Sequence, residues 1–249
     1  MATDTMVVDV SQDWAVACEV QERSMQIPGP TIKTLTYAAR CRQLRALGGD
    51  CFDFLPLAGR RLALAVGDAS GKGLAAALMI ANVQSSLRTA IWFSPNDLAA
   101  AVAAVNRQVY ASSLADRFAT LFFGIIDGGT RTLRYVNAGH NPPIIIRGGG
   151  AVARLEAGGP PVGVFAASAY SEGIVQLKSG DRIIAYTDGV IEAEDNTGKE
   201  WGLDGLLAAV TGDQTHSPDK IVEDTFVALD GFSGGRRNDD ATILVAVVQ

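Results

Sequence analysis

Two stretches of this sequence join strand-like runs through so few residues that only one geometry is open to them. "CFDFLPLAGRRLALAV" turns within "AGR", and "FFGIIDGGTRTLRYV" turns within a handful of Gly and Thr residues. A parallel neighbour needs a crossover of a dozen residues or more, so each pair forms an antiparallel hairpin. A doubly wound parallel sheet is thereby disfavoured. The runs "LFFGII", "RIIAY" and "ILVAVV" are apolar without alternation, as expected of strands covered on both faces. Two mainly antiparallel sheets packed together, with helices outside, meet both conditions. The expected fold is α+β, a four-layer α-β-β-α sandwich.

Helical spacing supplies the outer layers. Ala76, Ile80, Val83, Leu87 and Ile91 form a stripe over residues 72–91, which Ser70 or the glycines after it would start. A second helix is expected to open at "SPND", with Ser94 as cap, Pro95 in the first turn and Asp97 closing a capping box. Leu98, Val102, Val105 and Val109 form its apolar face. Two shorter helices are expected near residues 203–211 and 218–230. Strands are expected at "TLTYAAR", "CFDFLPL", "RLALAV", "ATLFFGIID", "TLRYVNA", "PPIIIR", "GIVQLKS", "RIIAYT" and "ATILVAVV". The glycine clusters between them are short enough to be loops, so residues 26–249 read as one domain after a lead-in segment, residues 1–25.

Acidic residues exceed basic ones, 27 to 21, for a net charge of −6. That balance disfavours nucleic acid and anionic membrane surfaces as partners. The first residues lack the basic start and apolar core of a signal peptide, and no run of about 18 apolar residues is unbroken. A cytoplasmic location is expected. Cys18, Cys41 and Cys51 show no C-x-x-C spacing and read as free thiols.

Four aspartates stand at strand boundaries. Asp68 and Asp188 follow "LALAVG" and "RIIAYT", whereas Asp50 and Asp239 lie just before "CFDFLPL" and "ATILVAVV". Antiparallel pairing places one strand's end beside its neighbour's start, so all four can meet at one edge of the sandwich. Each alone would read as a turn residue or helix cap. Together they would repel one another unless divalent cations intervened. With only His140 and His216 available, oxygen ligands and Mg²⁺ or Mn²⁺ are favoured over zinc. Asp53 lies three residues from Asp50, on the opposite face of an extended strand, and is expected to be structural. Asp240 points away from Asp239 and is expected to support it. His140, in the Gly- and Pro-rich "NAGHNPP", is expected to bond its loop, and Lys72 to be a solvated residue of the first helical turn. "GDASGKG" has the wrong spacing for a P-loop, and "GGDCF" lacks the acidic residue of the diguanylate cyclase motif.

The ordered blocks "GGDCFDF", "GDASGKGLAAALM", "YVNAGHNPP", "YTDGVIEAED" and "NDDATILVAV" resemble the signature of SpoIIE-type bacterial phosphatases, a branch of the PPM metal-dependent serine/threonine phosphatases. The resemblance runs over residues 17–249 and implies the same sandwich with two Mn²⁺ or Mg²⁺ ions at one end. It assigns Asp50 and Asp68 as metal-bridging or metal-binding carboxylates, the Ala69 carbonyl to the second ion, and Asp188 and Asp239 to the first. It implies attack on phosphoserine or phosphothreonine by a metal-bridging water, with a STAS-domain anti-anti-sigma protein as substrate in a partner-switching stress pathway. Ser70 stands where eukaryotic relatives carry a histidine, which leaves the general acid unassigned. The competing reading is a catalytically silent phosphoprotein-binding module of the same fold; the presence of all four aspartates counts against it. Within residues 11–25, Trp14, Val16, Cys18, Val20 and Met25 form an apolar face. With almost no sequence before it, that face is expected either to take a regulatory partner or a second copy of the chain, or to pack against its own domain.

Overall fold

The structure, a computed structural model, describes residues 10–25, 29–114, 116–212 and 215–249. The strands are β1 (Leu35–Arg42), β2 (Asp50–Leu57), β3 (Arg61–Ala69), β4 (Ala119–Asp127), β5 (Thr132–Ala138), β6 (Ile144–Ile146), β7 (Val152–Arg154), β8 (Gly158–Gly159), β9 (Gly173–Gln176), β10 (Arg182–Tyr186) and β11 (Ala241–Val248). The helices are α1 (Val10–Met25), α2 (Leu74–Phe93), α3 (Leu98–Ser112), α4 (Asp188–Ile191), α5 (Gly202–Val210) and α6 (Pro218–Ser233).

The strands form two sheets. One runs β1-β11-β10-β6-β7; the other runs β2-β3-β4-β5-β8, with β9 also on β5. All pairs are antiparallel except β5 with β8. Both expected hairpins are present, as β2-β3 and β4-β5.

Strand alternation builds three apolar layers. Leu62, Leu64 and Val66 of β3, Phe122 and Ile126 of β4, and Leu244 and Ala246 of β11 meet between the sheets. Ala63, Ala65, Phe123 and Ile125 face outward, toward Ile80, Val83 and Leu87 of α2 and Val102 and Val105 of α3. On the other side Ile184, Ile243 and Val245 pack with Val210, Ile221 and Phe226 of α5 and α6. These three layers of side chains separate four layers of backbone, the expected α-β-β-α sandwich.

α2 has the length and apolarity to cross a membrane. Its buried stripe, from Ala76 through Ile91, instead forms part of the core. α1 lies on the domain at its C-terminal end, where Met25 joins the α2 layer. Trp14, Val16 and Val20 stay exposed.

Some boundaries differ from expectation. α3 begins at Leu98, where the Asp97 carboxylate accepts from Ala100 N at 2.8 Å. Asp97 is thus the cap rather than the closing member of a capping box. Ser94 belongs to the end of α2, its N–H bonded to Ala90 O at 2.9 Å. Lys72 precedes α2, which starts at Leu74 after two glycines with positive φ.

Candidate metal centre

Asp50 opens β2 and Asp68 lies near the end of β3, directly opposite it. Both share strand parity with the residues between the sheets, Phe54 on β2 and Leu64 and Val66 on β3. They therefore sit at the open end of the gap between the sheets. Asp188 follows β10 as the first residue of α4, and Asp239 lies two residues before β11. Both come from the opposite sheet.

Asp50 is 1% exposed. One of its carboxylate oxygens is held across the gap: Thr187 Oγ1 donates to Oδ2 at 2.8 Å and Thr242 Oγ1 at 2.7 Å. Oδ1 is buried and has no hydrogen-bond partner. An anionic oxygen in that position is destabilising unless a proton or cation meets it. Burial, and then the neighbouring Asp68, push the Asp50 carboxyl well above the usual range, against the two threonine bonds. Asp68 is pushed up to about 7 by burial and by Asp188, Asp239 and Asp240. Asp188 is also raised, by burial and Asp239. The four acids thus share one field.

Two features fit this edge for a hard divalent cation. Asp50 Oδ1 is a buried acceptor with nothing to accept, and the donor set is all oxygen. Backbone is also kept open there. A Cβ on Gly49 would lie 2.9 Å from the Ala69 carbonyl oxygen and 3.4 Å from Asp68 Oδ1, so only glycine leaves those two oxygens clear. Among the described residues, no three acidic, His or Cys side chains enclose an ion by themselves. Mg²⁺ in particular retains several waters and takes only one or two carboxylates. The open edge is compatible with such binding.

Asp240 carries the support expected of it. Its oxygens accept from Leu44 N at 2.6 Å and Gly49 N at 2.7 Å, which fixes the backbone leading into Asp50. Asp53 turns to the other face of β2, where Arg88 Nε donates to it at 2.6 Å. It is 3% exposed and structural, as strand parity requires. His140 is bonded within its loop: its backbone N–H donates to Asn137 Oδ1 at 2.7 Å, and its carbonyl oxygen accepts from Asn137 Nδ2 at 3.0 Å. Its Nδ1 pairs with Thr120 Oγ1 at 2.8 Å, and burial pulls its pKa down to about 4.

Lys72 is not the free lysine expected. Its ammonium lies 2.7 Å from Asp239 Oδ2 and donates to Asn238 O at 2.6 Å. Thr187 and Thr242 were also missed as functional residues. The available signal was a threonine at the polar end of each of two apolar strands, "RIIAYT" and "ATILVAVV".

Comparison with known proteins adds the following. Residues 58–249 match the family described as Stage II sporulation protein E (SpoIIE). That span contains Asp68, Ala69, Asp188 and Asp239 and begins after Asp50. The chain is 30% identical to Protein IcfG of Synechocystis, over 86% of this chain and 38% of the relative. It is 23% identical to the phosphoserine phosphatase RsbU of Bacillus subtilis, over 95% of this chain and 70% of that one. The chain thus spans well under half of IcfG, and 24% of the Bacillus subtilis stage II sporulation protein E that it also matches. In fold it is similar to the SiaA-PP2C domain of Pseudomonas aeruginosa, with a TM-score of 0.82, 19% identity and 96% of each chain covered. The catalytic domain of the serine/threonine phosphatase PstP, solved with two manganese ions, is similar at a TM-score of 0.63 and 20% identity, covering 86% of this chain and 98% of that one.

Proposed function

The chain belongs to the SpoIIE family of PP2C-type protein phosphatase domains, and on that premise we propose that it hydrolyses phosphoserine or phosphothreonine with Mn²⁺ or Mg²⁺. The observation that carries this reading is buried Asp50, with its unpartnered Oδ1, opposite half-buried Asp68, both facing Asp188 and Asp239 from the other sheet. Asp50, Asp68 and the Ala69 carbonyl would hold one side of a two-ion centre, with Asp188 and Asp239 on the other. The manganese in the PstP domain supports the choice of metal. Bound cations supply the positive charge that activates water and offsets the charge of a phosphoryl group.

The chain's own residues do the remaining work. Thr187 and Thr242 orient Asp50 so that Oδ1 is the free oxygen, and Asp240 sets the Gly49 backbone beside it. Lys72 partly balances Asp239. The substrate we propose is a phosphorylated STAS-domain protein, in keeping with the likeness to RsbU, acted on in the cytoplasm. Residues 26–249 would form the catalytic domain and residues 1–25 the lead-in segment that takes a regulatory partner or a second copy.

Hydrolysis of a small aryl phosphate tests the reading directly. Turnover should require Mn²⁺ or Mg²⁺ and disappear in excess chelator while the fold persists by circular dichroism. Undiminished activity in chelator contradicts the metal centre. No turnover with either metal, on the aryl phosphate or a phosphoserine peptide, favours the silent binding module.

A further inference from the structure

Arg117 lies two residues before β4, and its surroundings tie it to the strand that carries Asp68. Ala119 and Thr120 of β4 pair with Ala69 and Asp68 of β3. The ladder continues beyond the strand ends: Ser70 N donates to Phe118 O at 2.8 Å, and Phe118 N donates to Ser70 Oγ at 3.0 Å. The Arg117 backbone is therefore fixed beside the turn that follows Asp68 and Ala69.

The side chain returns over the same turn. Arg117 Nη1 donates to Ser70 O at 2.9 Å. Gly71 beneath it has φ +92°, and a Cβ at that position would lie 1.9 Å from Nη1. The glycine thus opens the space that the guanidinium fills. Arg117 Nε is buried without a hydrogen-bond partner. The Asp116 carboxylate forms an ion pair with Nε at 4.0 Å, too long for a hydrogen bond, from a side chain 83% exposed. A buried guanidinium N–H without an acceptor is destabilising, and such a group calls for a specific explanation.

The geometry points to Arg117 as a phosphoryl-binding residue of the phosphatase site. This inference rests on the proposed hydrolytic function and names a group that would touch its substrate. With Nη1 committed to Ser70 O, the Nε–Nη2 edge remains. That edge presents two parallel N–H donors at the spacing of two oxygens on one phosphoryl group. A phosphate monoester would supply the acceptor that Nε lacks. Lys72, the ammonium beside the acidic edge, is engaged with Asp239 and Asn238.

Arg117→Met removes the donors and retains the apolar stem. In that variant the KM for p-nitrophenyl phosphate and the inhibition constant of inorganic phosphate should both rise roughly ten- to hundredfold. Mn²⁺ affinity, measured by calorimetry without substrate, should match the wild type. Unchanged KM and phosphate inhibition overturn the inference, and so does a loss of Mn²⁺ affinity, which would make Arg117 a positioning residue for the turn. If the Met variant does not fold, the unaltered protein gives the answer by nuclear magnetic resonance. The Arg117 Nε–H signal, assigned by its disappearance in Arg117→Lys, should move on titration of inorganic phosphate with Mg²⁺ present; a stationary signal overturns the proposal. Wild-type turnover tests the phosphatase reading separately. Absence of turnover counts against that reading, whereas active wild type with an indifferent Arg117 counts against this residue alone.

Discussion

Asp50 and Asp68 face each other as direct cross-strand partners at the mouth of the gap between the sheets. Like charges opposite one another in a sheet are destabilising. Here burial and further acids intensify the effect, and the protein's response to pH and metal should follow from it.

Asp68 has a carboxyl raised to about 7 by burial and its acidic neighbours, against roughly 3.9 in an unfolded chain. Between those values the folded state holds a proton that the unfolded state has lost. The associated stability is full below the unfolded value and disappears as pH rises through the folded one. Asp68→Asn lacks this loss. Its metal-free stability should therefore gain on that of the wild type between pH 5 and 8, by roughly a few kcal/mol. His140, pulled down to about 4, acts in the opposite sense at mildly acidic pH, but it is common to both proteins and cancels in the difference. Denaturant melts in chelator across this range provide the check; a difference independent of pH contradicts the assignment.

Asp188→Asn and Asp239→Asn should each lower kcat by roughly a hundredfold or more, as loss of a metal ligand does. Metal-free stability should hold or rise, because each change removes a charge from the cluster. Asp239→Asn also breaks the Lys72 pair, but both side chains are about 40% exposed. Such a pair contributes no more than about 1 kcal/mol. Turnover with Mn²⁺ and thermal melts with chelator measure the two effects separately, and collapse of the fold would assign these residues a structural role.

Asp240→Ala should be destabilising even without metal. It leaves the Leu44 and Gly49 N–H groups without their acceptor, at a cost of roughly 2–4 kcal/mol for two charge-assisted bonds. Gly49 adjoins Asp50, so the Mn²⁺ concentration for half-maximal turnover should rise as well. Asp240→Asn, which keeps an acceptor oxygen, should recover part of both. Equal behaviour of the two variants would contradict the role given to the carboxylate.

Gln21 links α1 to the same backbone. It donates to Gly48 O at 2.8 Å and accepts from Gly48 N at 3.2 Å. Gln21→Ala and deletion of residues 1–25 should both change metal-dependent turnover, and the deletion should abolish any self-association through the exposed Trp14, Val16 and Val20. Kinetics and light scattering read the two outcomes. A monomer before and after, with an unchanged rate, removes the regulatory role of the segment.

The sheets were legible because short connections restrict geometry more strongly than residue preference does. "AGR" between two apolar runs admits a hairpin and little else. Strand parity likewise separated Asp53 from Asp50 before any contact was known. The start of α3 was less legible, since Ser94 and Asp97 are both good caps within four residues; packing of Leu98 and Val102 decides between them. β7 and β8 lack a strand signal, and their pairing depends on neighbours brought alongside by the rest of the fold. The partners of Thr187, Thr242 and Lys72 were beyond local reading for the same reason. Thr242 reaches a carboxylate 192 positions away in the chain, and Lys72 a carbonyl 166 positions away.

The hydrogen bonds of Thr187 and Thr242 to Asp50 also make the sandwich a calliper. One jaw carries Asp50 and Asp68, the other Asp188 and Asp239, and the side chains between the sheets set the opening. Phe122, Leu64 and Leu244, fully buried between the sheets, would then be gauge blocks for the distance at which the acids face one another. Interiors pack too densely for such a gauge to change without moving the jaws. Selection on catalysis would therefore reach these apolar residues, and an improved or impaired enzyme could differ from its parent only in the bulk of a phenylalanine or leucine in the middle layer.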